Sequence, residues 1–183
     1  MLQTDWNVVI TTATGPGAFE SVRDRLSAFG KVSRTDYWNV LVLSVDDVDE
    51  FLEDVEALAT CNPSFAGAIS RVMPVTHTFR FHSPEEFEGH ACRVAREWLP
   101  RLQGTRFHVR MHRRGFKGRL SSQDEERFLD RFILRALTAN QSQARVDFDD
   151  PDYIIAVESV GQRAGMSLWT RDELQRYRLL KLD

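Results

Sequence analysis

Between Trp6 and Met73 the hydrophobic pattern changes period repeatedly, and the order of those changes restricts the fold more than any other feature of the chain. Trp6 to Ala13 (WNVVITTA) is an apolar-rich run of strand length, closed by the turn TGPG. Phe19, Val22, Leu26 and Phe29 then recur at helical spacing, and Gly30 predicts the stop. Strands are expected at about 31–36 and 38–45. Asp47 with Glu50 three residues on predicts a cap for a helix bearing Val48, Phe51, Leu52, Val55 and Leu58 on one face. After TCNPS a last strand spans about Ala68 to Met73. The order β-α-β-β-α-β is the split βαβ, or ferredoxin-like, arrangement, a sheet with two helices on one face. It closes near Pro74, which assigns residues 1–74 to a first domain and 75–183 to a second.

The second half reads as another α+β unit, with its strands mostly antiparallel. A short extended piece, VTHTFRF, leads into SPEE. Ser83 as N-cap, Pro84 at the first helical position and Glu86 three residues after the cap predict a helix start. Phe87, Ala91, Val94, Ala95, Trp98 and Leu99 share one face of that helix, which is expected to stop at Pro100–Gly104. A strand from Thr105 and a glycine-containing turn, RRGFKG, come next. Ser122 with Glu125 predicts a second capping box, and Phe128, Leu129, Phe132, Ile133, Ala136 and Leu137 follow at helical spacing. The turn DDPD, the strand YIIAVESV, the turn GQ and the strand RAGMSLW complete the unit, with Thr170 and Glu173 capping a final short helix.

Composition excludes several classes. The 42% hydrophobic content and 12 Phe support a packed core rather than disorder. No apolar run reaches the roughly 18 residues that span a bilayer, and the start, MLQTDWNVVITT, lacks a basic segment of the kind that opens a secretory signal, so a cytoplasmic protein without membrane attachment is expected. Cys61 and Cys92 make no disulfide framework and are expected as buried structural thiols.

Net charge is −3, but its distribution is uneven. Residues 1–75 hold 5 Lys and Arg against 11 Asp and Glu, whereas residues 76–183 hold 19 against 16. Between Trp98 and Gln123 there are seven basic residues and no acid. Such a block is an electrostatic footprint for a polyanion. The strand within it, FHVRMHR, alternates. Phe107, Val109 and Met111 form an apolar face; Arg106, His108, Arg110, His112 and Arg114 form the other. Arg113, Lys117 and Arg119 carry the charge through the turn, where Gly115 and Gly118 permit unusual dihedrals. Arginine suits phosphate because its planar fork donates in pairs and stays charged. The same face also has an ordinary reading, a solvated strand protected from edge pairing.

Other chemistry finds little support. His108 and His112 lie roughly 13 Å apart if each strand residue rises about 3.3 Å, too far for one metal ion. P-loop, GxGxxG, HExxH and GxSxG motifs are absent, so no cofactor is expected. DFDDPD, Asp147 to Asp152, is read as a polar turn closed by Asp-Pro rather than a two-metal cluster. The acidic stretch DDVDEFLEDVE, Asp46 to Glu56, is either a solvated helix face or a docking surface for a basic partner.

Three stretches resemble the THUMP domain family: FHVRMHRRGFKG, LSSQDEERFLDRFI and VDFDDPDYIIAVESVGQRAGMSLWTRDEL, together covering about residues 76–178. The resemblance implies an α+β module that binds structured RNA, typically tRNA near its acceptor and 3′ CCA end, often behind a ferredoxin-like domain. It implies an RNA-facing strand and turn at Arg110, Arg113, Arg114, Lys117 and Arg119, and adds Arg163 in RAGMSL to a candidate set that already holds Arg106, His108 and His112. Family members usually carry a fused methyltransferase, thiouridine synthetase or deaminase domain, for which this sequence leaves no room. The chain is therefore similar to the stand-alone adaptor that supports cytidine acetylation in tRNA. That similarity implies no catalysis of its own, with tRNA and a modification enzyme such as an acetyltransferase as partners.

Overall fold

The structure, a computed structural model, describes residues 5–182. The first four residues of the start read as lacking a leader, and residue 183, lie outside the described residues. The chain forms two compact units: residues up to Thr76 together with the chain from Leu174 onward, and His77–Glu173.

The first unit runs β1 (Val8–Thr12), α1 (Ala18–Leu26), β2 (Lys31–Arg34), β3 (Val40–Ser44), α2 (Val48–Cys61), α3 (Pro63–Ala68) and β4 (Ile69–Pro74). Its sheet has the order β2-β3-β1-β4, and every pairing is antiparallel. Val8, Ile10, Leu41, Leu43 and Val72 point from the sheet into a core with Val22 and Leu26 of α1, Phe51 and Val55 of α2, and Phe65 of α3. Asp47 caps α2 as expected, accepting from the N–H groups of Asp49 at 2.8 Å and Glu50 at 3.0 Å.

The segment TCNPS, to which the sequence assigned no element, ends one helix and starts another. Asn62 accepts the Phe65 N–H at 3.0 Å and Pro63 sits at the first helical position. Asn-Pro serves a cap as well as a turn, and the helix wins because it buries Phe65 and Ala68. The two cysteines depart from expectation as well: Cys61 is exposed and Cys92 half-buried, its thiol pushed up to about 11 by desolvation.

The chain from Leu174 onward, expected in the second domain, completes the first unit. Leu179 enters its core, and the Leu179 carbonyl accepts the Val72 N–H at 2.8 Å. Tyr177 donates its hydroxyl to Glu53 at 2.7 Å, and Arg178 Nε donates to Glu56 at 2.6 Å. Two carboxylates of the acidic stretch read as a possible docking face are thus held by the chain itself.

Gly30 has a role the sequence did not suggest. α1 ends at Leu26, and a β-carbon on Gly30 would lie 2.1 Å from the Ser44 carbonyl oxygen. Glycine is required there by the close approach of β3's end, not by a helix stop. Gly30→Ala is expected to lower stability by about 1–3 kcal/mol, the range for overpacking; a urea midpoint equal to wild type would contradict this contact.

The second unit runs β5 (His77–Arg80), α4 (Pro84–Leu102), β6 (Arg106–Arg114), α5 (Ser122–Ala139), β7 (Arg145–Val146), β8 (Tyr153–Val160) and β9 (Arg163–Thr170); α6 (Arg171–Arg176) follows, and its residues from Leu174 belong to the first unit. The sheet order is β5-β9-β8-β6-β7. β9 pairs antiparallel with β5 and β8, but β6 pairs parallel with β8 and β7. The expectation of mostly antiparallel strands fails at β6, because a helix, α5, lies between it and β8; such a crossover brings the next strand back in the same direction. Phe107 and Val109 of β6, Ile155 and Val157 of β8, and Ala164 and Met166 of β9 share a core with Phe87, Ala91 and Ala95 of α4 and Leu129 and Ile133 of α5.

Ser83 caps α4, accepting the Glu86 N–H at 3.2 Å, while Glu86 accepts the His82 N–H at 2.7 Å. The helix includes Pro100 and ends at Leu102, within the expected stop at Pro100–Gly104. At α5 the cap is Ser121, not Ser122; it accepts the Asp124 N–H at 3.4 Å, and Glu125, expected in the capping box, is buried. Thr170 and Glu173 form the expected reciprocal box, the Thr170 N–H donating to Glu173 at 2.8 Å and the Glu173 N–H to Thr170 Oγ1 at 3.2 Å. Among the described residues no helix is long and apolar enough to cross a membrane.

Candidate nucleic-acid interface

β6 carries the candidate residues, and its alternation is observed: Phe107, Val109 and Met111 are buried in the core. The opposite face is not the open basic strip that alternation alone implies. Arg106 is clamped at its first residue. Its N–H donates to Asp152 Oδ2 at 2.9 Å, its guanidinium donates to both Asp152 oxygens at 3.1 and 2.7 Å, and it also pairs with Asp150. Arg171 joins the same two carboxylates, at 2.7 Å from Asp150 and 3.2 Å from Asp152. The hydrogen bonds from Arg106 hold the Asp152 carboxyl at about 2, well below the usual range. DFDDPD is accordingly an arginine clamp. Asp147 accepts the N–H groups of Asp149 at 3.1 Å and Asp150 at 2.9 Å, which shapes the turn.

His108, an expected RNA contact, is 8% exposed. Its Nδ1 lies 3.0 Å from the Asp147 carbonyl and its ring 5.1 Å from that of Phe148. Burial and these two contacts make it part of the fold. Arg114 pairs at 2.7 Å with Glu158, whose side chain is 0% exposed. Arg110 and His112 are half-buried, facing Ala156 and Glu158 across the strand pair. Arg113 turns back to the Gly115 carbonyl. Lys117 and Arg119 are exposed in the turn, and Arg119 lies 5.0 Å over the Phe116 ring while donating to the His82 carbonyl at 3.3 Å. Arg163 sits on β9 in the cross-strand row that holds Arg114, Val160 and Arg80, and donates to Thr78 Oγ1 at 2.7 Å. The fold thus gathers Arg110, His112, Arg114 and Arg163 on one sheet face, with Lys117 and Arg119 beyond the strand end. Among the described residues no group of three or more His, Cys, Asp or Glu is placed to hold a metal ion.

The other edge of β6 is closed by helix side chains. β7 pairs only with Arg106 and Phe107. Beyond it, the Val109 N–H donates to Asp130 Oδ1 at 3.1 Å and the Met111 N–H to Glu126 Oε1 at 2.7 Å. These carboxylates, one helical turn apart on α5, satisfy strand donors that would otherwise invite another strand. Burial pushes Asp130 up to about 7, the Glu126 charge adding to the rise and the Val109 N–H opposing it.

Sequence reasoning missed a second basic surface. Phe128, Arg131, Phe132 and Arg135 of α5 line a groove of about 240 Å³. Arg96 of α4 lies 5.3 Å over the Phe132 ring. Both phenylalanines are half-buried, at the margin of the core. The available signal was their spacing. Arginines three residues after each phenylalanine continue the same helical stripe.

A family model described as THUMP domain matches residues 65–168. No curated protein matches the chain. The fold is similar to that of TrmN from Thermus thermophilus, with 20% identity, a TM-score of 0.59, and coverage of 89% of this chain and 44% of that one. It is also similar to PH1313 from Pyrococcus horikoshii Ot3, with 13% identity, a TM-score of 0.55, and coverage of 91% and 55%. A third similar structure is a 4-thiouridine synthetase–RNA complex with bound ATP, with 15% identity, a TM-score of 0.54, and coverage of 91% and 42%. The chain spans about half the length of these proteins.

Proposed function

This chain belongs to the THUMP domain family, and from that premise we propose that it is an RNA-binding protein of tRNA modification. It binds tRNA near the acceptor and 3′ CCA end and presents it, in the cytoplasm, to a separate modification enzyme such as an acetyltransferase. It does no chemistry itself. The observation that carries the reading is the family match, which spans β6, its basic turn and α5. The similarity in fold to a 4-thiouridine synthetase solved with RNA supports the same ligand class. The strand order of the first unit supports a ferredoxin-like domain ahead of the module.

The RNA contacts fall to the basic groups that the fold leaves accessible: Lys117 and Arg119 in the turn, then Arg110, His112, Arg113 and Arg163 at the half-exposed positions. Each phosphate neutralised releases counterions, so affinity falls steeply with salt. With about five phosphate contacts, binding of bulk tRNA is expected to weaken about 100- to 500-fold between about 50 and 200 mM salt. Removing the 3′ CCA should weaken it further at either salt concentration. Folded protein that binds no tRNA at the lower salt would overturn the proposal, and equal binding with and without the CCA would move the contact away from the acceptor end.

A further inference from the structure

We infer that the α4–α5 face is an RNA contact surface, in which Arg96, Arg131 and Arg135 hold phosphate oxygens while Phe128 and Phe132 flank an unpaired base. The inference rests on the RNA-binding reading above and names a part of the molecule that the basic strand does not include.

Arg131 and Arg135 are exposed on α5 at one-turn spacing, about 6 Å of helix rise. Neither forms an ion pair among the described residues, nor does exposed Arg96. The contrast with Arg106 and Arg114, both neutralised by carboxylates, is sharp. The acids of α5 are committed elsewhere. Asp124 lies 4.0 Å from Arg127, Glu126 and Asp130 accept strand N–H groups, and Glu125 is buried. The helix therefore presents unneutralised guanidinium groups, whose planar forks match phosphate geometry. Between them, Phe128 and Phe132 keep part of their ring surface in the groove. Aromatic rings interleaved with arginine are the arrangement that single-stranded nucleic acid uses, since every base has a face to stack and every linkage a phosphate. An acidic peptide would satisfy the arginines but has no flat group for the rings.

The test is a titration with bulk tRNA across a salt series, using wild type, Arg131→Ala/Arg135→Ala and Phe132→Leu. The double variant is expected to raise Kd at least about 10-fold and to flatten the log–log salt slope by about 1.4–1.8, at 0.7–0.9 per lost phosphate contact. Phe132→Leu is expected to raise Kd about 5-fold or more with the slope unchanged, because stacking releases no counterions. An unchanged thermal midpoint for the double variant confirms folding, both arginines being exposed. Wild-type binding that neither variant alters overturns the inference and leaves the RNA reading standing. No wild-type binding overturns that reading and the inference with it. Polyglutamate displacing tRNA as well as RNA of equal charge does would assign the face to an acidic peptide instead.

Discussion

Arg114→Ala is expected to lower the free energy of unfolding by about 3–5 kcal/mol, the cost of removing one member of a buried ion pair. Glu158 is fully buried, and Arg114 reaches it at 2.7 Å from the neighbouring strand with only 15% of its own side chain exposed. The carboxylate left behind loses a charged donor and cannot regain water without opening the sheet. Denaturant unfolding measures the effect directly, and a midpoint unchanged from wild type would show that Glu158 does not depend on Arg114. The partner experiment is Arg114→Leu/Glu158→Leu, which removes both charges and is expected to recover most of the loss. This matters for function as well. A fall in RNA affinity on Arg114→Ala would first report lost folding, so Lys117 and Arg119, exposed in the turn, are the informative positions for binding.

Stability is expected to rise as pH falls from 8 toward 5, the reverse of the usual dependence of salt-bridged carboxylates. Asp130 titrates at about 7 in the folded protein against 3.8 unfolded, and burial likewise raises Glu125 to about 7 from 4.5. Between the two values the folded state binds more protons than the unfolded one, so stability decreases with rising pH. For Asp130 the full span corresponds to about 4 kcal/mol at 1.36 kcal/mol per pKa unit. Below pH 4 the trend reverses. Asp152, held at about 2 by Arg106, contributes stability that is present above 3.8 and lost as pH falls toward 2. Asp130→Asn keeps an oxygen for the Val109 N–H and removes the buried charge. It is expected to stabilise the protein by about 1–3 kcal/mol at pH 8 and to change little at pH 5. Thermal unfolding across this range tests both statements, and a profile for the variant parallel to wild type would remove Asp130 as the source.

Much of this structure is legible in short windows of sequence. The elements with strong local signals fall where periodicity and caps place them: Asp47 before α2, Ser83 before α4 with Pro84 as its first residue, and the alternation of Phe107, Val109 and Met111. Errors cluster where two readings share the same residues. The short helix that Asn62-Pro63 starts was not read at all, because it forms only where Phe65 has a core to enter. Ser121 and Ser122 are equivalent as caps until Glu125 is seen to be buried. Strand direction at β6 was missed because alternation carries no information about the neighbour's orientation.

The candidate surface shows the same division. Sequence alone determined that most of the basic residues lie in the second half, that β6 has a basic face, and which family signature accompanies it; these are properties of neighbours along the chain. Only the tertiary structure decided which cations are still available to a ligand. Arg106 meets Asp152 across 46 positions of sequence, and Arg114 meets Glu158 across 44. Coulomb attraction acts over a few ångströms whatever the separation along the chain. Folding therefore cancels charges that look free in a linear reading, and leaves Arg131 and Arg135 on α5 unpaired among the described residues, where a linear reading saw only a helix with an apolar face.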